Sequence, residues 1–292
     1  MEENKHLLAT GLNGLVGSKF ATDFADQYQY DRMDVSDKEN PVDITNLDQI
    51  KQVFESSQAE FVLHLAAFTN VTAAWEQKGD KEGLAYQVNV EGTKNLVKAC
   101  QEYGKHLIHI STAYVFDGDN EGVYLEEDQM KPIEWYGQTK AWAEEAVRNS
   151  EIDWTILRID QPFRSDVFPK VDIVHRIIDG LKKGSLYPQF TNHFFGPTFI
   201  DDFAKVIDWV IRTKTEGLYH ATSGEKWSDY KFAQLINETL DLSGEVKAGD
   251  LDEYLKTISR PYQRNTALDS SKLINQLDFK LKTVEEAVRK LS

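Results

Sequence analysis

At 292 residues, with 41% hydrophobic and 28% charged side chains, the chain can bury a sizeable core, either as one large domain or as a main domain with a smaller attachment. A formal charge of −15 opposes nucleic acid and anionic membrane surfaces, so any anionic ligand must be held by local groups. No apolar run approaches the 18 or so residues of a membrane span, and the first strand begins too close to Met1 for a signal sequence, so a cytoplasmic protein is expected. The lone cysteine, Cys100, lies in a helical pattern; it excludes a disulfide framework and reads as a buried structural thiol.

An apolar strand at 6–10 runs straight into Gly11-Leu12-Asn13-Gly14-Leu15-Val16-Gly17 and then into helical periodicity over 15–26. Three glycines at this spacing let the backbone turn tightly and approach a pyrophosphate, whose charge the amides and dipole of the helix N-terminus favour. The alternative is a glycine-rich turn with no ligand. Further apolar runs at 28–33, 61–65, 107–111 and 155–158 alternate with helical segments at 46–56, 84–103 and 137–149. Such alternation means a parallel sheet covered on both faces, an α/β, doubly wound Rossmann architecture. Thr45 with Asp48, and Thr283 with Glu286, have capping-box spacing.

Beyond about residue 160 the pattern loosens. Proline, aromatic and polar residues interleave through 160–200, helices are expected at 201–213 and 229–241, and 243–270 reads mostly as loop. Residues 1–160 are therefore assigned to a dinucleotide-binding domain, with a return segment near 196–225. Residues 161–292 form mainly a smaller substrate-binding region, and with no linker between them the two parts should share one body.

Tyr136 and Lys140 are four apart on a helix and share a face, so the ammonium is expected to lower the phenol's pKa and make it a usable proton donor. A solvated surface pair is the bland alternative. Ser111 and Thr112 end the fourth strand, at the carboxyl edge where doubly wound sheets hold ligands. His106 and His109, three apart on a strand, face opposite sides and make no joint metal site; no metal is expected. The apolar helical spacing of 171–181 and 203–211 reads as core or as the subunit contact of a homodimer.

With these motifs in order, the chain resembles the extended short-chain dehydrogenase/reductases, and within them the dTDP-4-dehydrorhamnose reductase type. The likeness runs through the loop at 10–17, Val42-Asp43-Ile44-Thr45, His64-Leu65-Ala66-Ala67-Phe68-Thr69, Val88–Thr93, Ser111–Gly118, the Tyr136/Lys140 pair, Gly196–Asp202 and Asn265–Asp269. The resemblance implies a nicotinamide dinucleotide held by Gly11, Asn13, Gly14, Leu15, Val16, Gly17, Asp43, Ile44, Ala66, Ala67 and Lys140. Tyr136 would be the general acid, with Lys140 tuning it, Thr112 binding the substrate oxygen and Asn89 supporting the site. Thr69, Thr112, Arg260 and Arg264 would face a nucleotide sugar, the two arginines clamping its diphosphate. Asp34, about 20 residues beyond the glycine loop, would bind the ribose hydroxyls and tips the reading toward NAD; Arg32 offers a partner for the extra phosphate of NADP.

The chain departs from the family pattern at Arg158-Ile159-Asp160-Gln161-Pro162-Phe163-Arg164, where an Arg-Thr-Ser-Trp-type segment is usual, and at Thr72, where an acid is usual. Its Arg260–Asn265 link is also two residues longer. Three readings remain: a reductase of a nucleotide-linked 4-keto sugar, an epimerase or dehydratase of the same fold, and a non-catalytic dinucleotide-binding regulatory subunit. Ala113-Tyr114 supplies no second acid/base pair for a dehydratase, and the intact Thr112/Tyr136/Lys140 set disfavours the regulatory subunit.

Overall fold

The computed structural model describes residues 5–291. At its centre is a six-stranded parallel sheet: β1 (Lys5–Thr10), β2 (Tyr28–Met33), β3 (Phe61–His64), β4 (His106–Thr112), β5 (Trp154–Ile159) and β6 (Gly217–His220), in the order β6-β5-β4-β3-β1-β2. Strands covered on both faces must be apolar throughout rather than alternating, and Leu7, Leu8, Val62, Leu63, Leu107 and Ile108 are all fully buried. The expected α/β doubly wound architecture is therefore the observed one. Strand order reverses between β1 and β3, which opens a crevice at the carboxyl ends of the strands.

Helices α1 (Leu15–Asp23), α2 (Leu47–Ser56), α3 (Thr93–Tyr103) and α4 (Trp135–Arg148) connect the first five strands. Phe20 of α1 packs on one face with α6 (Ile200–Thr213), while Ile50, Phe54, Leu96 and Val147 pack on the other. Cys100 lies within that second layer, where burial pushes its thiol up to about 12, as befits a structural thiol. A separate core joins Phe163, Phe195 and Phe199 to α5 (Ile173–Lys182), α7 (Asp229–Thr239) and α8 (Val284–Val288). Apart from exposed Val171, the apolar faces read from 171–181 and 203–211 thus lie in cores.

Two local expectations are corrected. Thr45 does not cap α2: Asp43 captures its amide at 2.9 Å and its hydroxyl at 2.8 Å, and Asn46 becomes the cap, accepting from the Asp48 and Gln49 amides at 3.0 and 3.3 Å. The segment 84–103 is not one regular helix, since a π-helical turn at Gln87–Gly92 precedes α3 and the Thr93 hydroxyl donates back to the Asn89 carbonyl at 2.7 Å. The Thr283/Glu286 capping box forms as expected and starts α8.

Arg158 of β5 and Glu144 of α4 form a fully buried, two-pronged ion pair at 2.9 and 2.7 Å, with the guanidinium over the Phe116 ring and 3.3 Å from His220 of β6. The pair ties three elements together. Removing one partner strands the other charge in the core, so Glu144→Leu should cost about 3–5 kcal/mol in urea unfolding, and adding Arg158→Met should recover most of that loss.

Candidate active site

The glycine loop is dictated first by sterics. Gly11 has φ +68°, and a Cβ there would stand 2.6 Å from the Ala66 amide nitrogen; at Gly17 it would stand 2.5 Å from the Gly11 carbonyl. At exposed Gly14 the nearest atom is the Gly11 carbonyl at 3.1 Å, so the fold presses least on the glycine that faces outward at the head of α1. No acid occupies the first turn of α1, which leaves its amides and dipole for an anion. Leu15 and Val16 form this half-buried first turn, and Arg164 donates to the Leu15 carbonyl at 3.1 Å and the Ser18 hydroxyl at 2.8 Å. Thr10 fixes the far wall, accepting from the Leu65 and Ala66 amides at 3.1 and 3.0 Å. Ala67 follows in the same loop.

At the mouth of the cradle the Asn13 amide donates to Ser36 at 2.8 Å and its carbonyl accepts from Arg32 at 3.4 Å. Asp34 accepts from the Ser36 amide and hydroxyl at 2.9 and 2.7 Å. The acid and the arginine weighed in the sequence thus belong to one polar cluster. Asp43 closes its own turn onto Thr45, while buried Ile44 packs so tightly on Gly92 that a Cβ there would lie 2.7 Å from its Cδ1.

Beyond β4, Thr112 pairs in register with Ile159 of β5, and the chain makes a turn of 3₁₀ helix at Ala113–Val115. Helix α4 starts directly against that turn, because Gly137 leaves room where a Cβ would be 2.1 Å from the Tyr114 carbonyl. Glu134 caps the helix, accepting from the Tyr136 and Gly137 amides at 2.9 and 2.6 Å. The Tyr136 phenol is thereby brought near the Thr112 side chain, whose hydroxyl accepts from the Tyr114 amide at 3.3 Å and lowers the phenol's pKa. One turn on, buried Lys140 donates to the Ile110 carbonyl at 2.8 Å and meets His109 Nε2 at 3.2 Å. Asn89, presented by the π turn, accepts from the Phe68 amide at 2.8 Å and donates to Thr139 at 2.9 Å. Next to Phe68, Thr69 accepts from Lys170 at 2.5 Å.

The electrostatics correct one expectation. Burial, followed by the nearby Glu134 charge, raises the Tyr136 phenol, while the Thr112 side chain opposes the rise. Lys140 does not depress it, since its amine turns to the Ile110 carbonyl and His109, and burial lowers Lys140 itself to about 8. Burial and the Lys140 charge hold His109 well below the usual histidine range.

Sequence reasoning gave no role to several groups that line the same region. Tyr114 lies edge-on to Tyr136, with ring centres 5.9 Å apart. Glu134 and Asp160 are buried carboxyls that burial raises to about 7. His193 pairs with Asp229 at 2.5 Å and packs 5.2 Å from the Tyr262 ring. Glu134 was open to recognition as the acid just before the Tyr136 helix, and Asp160 as an acid at a strand's carboxyl end. The two arginines part: Arg260 stacks over Tyr262 at 5.0 Å with its charge acting on Glu134, whereas Arg264 is exposed and ion-paired with Asp252.

The family model described as RmlD substrate binding domain matches residues 5–292. A dTDP-4-dehydrorhamnose reductase of Aggregatibacter actinomycetemcomitans is 29% identical, with 91% of each chain covered. The methionine adenosyltransferase 2 subunit beta of Pongo abelii is 26% identical over 92% of this chain and 82% of its own. The solved dTDP-4-dehydrorhamnose reductase of Bacillus anthracis, in complex with NADP, superposes with a TM-score of 0.88 at 24% identity, covering 99% of both chains. With nearly its whole length matched, the chain belongs to the RmlD substrate-binding-domain family of sugar-nucleotide reductases.

Proposed function

We propose that the chain reduces the 4-keto group of a nucleotide-linked sugar at the expense of NADH or NADPH. The observation that carries this reading is the placement of Tyr136 and, one turn on, Lys140 against the end of β4 that carries Thr112, at the carboxyl edge of the sheet beyond the glycine cradle. Gly11, Gly14 and Gly17, with the first-turn amides at Leu15 and Val16, would cradle the pyrophosphate, and Asp43, Ile44, Ala66 and Ala67 would line the adenine and floor. When bound, the nicotinamide supplies the hydride. Thr112 holds the ketone oxygen beside Tyr136, and the phenol gives that oxygen its proton as the carbonyl carbon is reduced. Burial keeps the phenol protonated until that step, and Lys140 would hold the nicotinamide ribose beside it. Arg260 stands on the substrate side as a clamp for the diphosphate, with Arg264 a second cation at the rim.

Tyr136→Phe should retain dinucleotide affinity and lose about 10²–10⁴-fold in turnover of a 4-keto nucleotide sugar, followed at the nicotinamide absorbance band. A wild type that binds the dinucleotide and turns over no keto sugar would favour the regulatory reading, which the likeness to a methionine adenosyltransferase subunit supports.

The cofactor cluster supports use of both dinucleotides, with Asp34 for the ribose hydroxyls of NAD and Arg32 beside Ser36 for the phosphate of NADP. Arg32→Ala should weaken NADPH binding about 10–100-fold in calorimetry and leave NADH nearly unchanged.

The pH dependence follows from Lys140. Its pKa is lowered to about 8, so its positive charge is present below that value and lost as pH rises through it. kcat/KM for ketone reduction, which reports the free enzyme, should therefore fall above about pH 8; a profile flat to pH 10 would remove Lys140 from its role.

A further inference from the structure

Asp160 lies in one of the segments, 158–164, where this chain departs from the family pattern, and its surroundings are unusual. It follows Ile159, the partner of Thr112 in the β4–β5 register, and is only 2% exposed. Its backbone is fixed on both sides, the amide donating to the Thr198 hydroxyl at 3.1 Å and the carbonyl accepting from the Thr198 amide at 2.9 Å. Gln161 beyond it has φ +37°, a strained conformation for a residue with a side chain. Oδ2 accepts from the Gly196 amide at 3.1 Å and the Thr266 hydroxyl at 2.6 Å. Oδ1, equally buried, has no hydrogen-bond partner among the described residues.

A buried carboxyl oxygen without a donor is costly, and a structure that keeps one has a use for it or a solvent molecule beside it. Asp160 stands at the strand end that holds the site, one residue beyond the Ile159 that pairs with Thr112, and the Tyr114 ring lies edge-on to Tyr136 there. The Asp160 charge bears on both phenols. Burial raises its own carboxyl to about 7, outweighing Thr266, the Gly196 amide, His193 and the Gln161 amide, all of which favour the ionised form.

We propose that Asp160 Oδ1 accepts a hydrogen bond from a hydroxyl or amino substituent on the sugar ring held beside Tyr136, so that Asp160 selects which sugar this chain accepts. The inference rests on the reading of the site as a nucleotide-sugar site. It assigns Asp160 to recognition of a ring substituent and leaves proton delivery to Tyr136. A site built around an acceptor rejects a sugar that lacks the matching donor, because the buried oxygen is then left bare.

The test is calorimetry on the full chain with dTDP, dTDP-rhamnose and ring-deoxy analogues of dTDP-rhamnose, using wild type, Asp160→Asn and Asp160→Ala. Dinucleotide affinity, together with an unchanged urea unfolding midpoint, reports that each variant is folded. Asp160→Asn should weaken dTDP-rhamnose about 10–100-fold and leave dTDP unchanged, with one deoxy analogue binding wild type and variant equally weakly, as a coupled pair requires. Equal loss for dTDP alone, no coupling with any analogue, or a wild type whose affinity gains nothing from the sugar would overturn the assignment. Coupling found without any ketone turnover would sink the reductase reading and leave this one standing.

Discussion

The contact on which the site depends is the approach of α4 to the turn that leaves β4. A Cβ at Gly137 would stand 2.1 Å from the Tyr114 carbonyl, so only glycine lets the helix start there. Everything chemical follows from that start. Tyr136, one residue before the glycine, is placed at Thr112, and the 3.6-residue period then drops Lys140 onto the Ile110 carbonyl of the same strand. Glu134 secures the geometry by taking two amides at the helix head, at the cost of a carboxylate near the phenol it serves.

Burial pushes the site's acids up and its bases down together. Tyr136, Glu134 and Asp160 rise, while Lys140, His109 and His64 fall, because a low dielectric disfavours every charged form. Excess negative charge therefore belongs to the surface, and the interior of the cleft stays nearer neutral. An acidic protein can present such a cleft to anionic ligands provided cations stand at its ends. Arg32 stands at the glycine cradle, on Asn13, and Arg260 near Glu134.

What was legible in the sequence was local. The Gly-x-x-Gly-x-x-Gly loop, the alternation of apolar runs with helical periods and the Tyr136/Lys140 spacing each express a rule spanning a few residues, and the sheet they specify forms as read. Where two local rules competed, the outcome was not legible: Thr45 and Asn46 both suit a cap, and Asp43 decided between them by capturing Thr45. The π turn that presents Asn89 was hidden for a related reason, since its sequence suits a regular helix and the irregularity appears where Thr93 reaches back to a carbonyl. The tuning of Tyr136 was misread because spacing shows that Lys140 shares its face but does not show the Ile110 carbonyl that engages the amine.

The region beyond β5 is built from the opposite kind of contact. Thr266 reaches Asp160 across 106 residues, Asn265 donates to the carbonyls of Asn120 and Gly122, and Gly118, at φ +90°, leaves room for Gln263 where a Cβ would be 2.7 Å from its Cα. Three two-stranded pairings, 162–163 with 198–199, 194–195 with 227–228 and 189–190 with 248–249, hold the rest. None of these has a period to read, and each joins segments whose proximity is decided only once the sheet exists. The sheet and its glycine cradle can therefore be specified by strand-turn-helix rules alone. The half that would choose the sugar is specified by which distant loops meet at the end of β5, and Asp160 stands where they do.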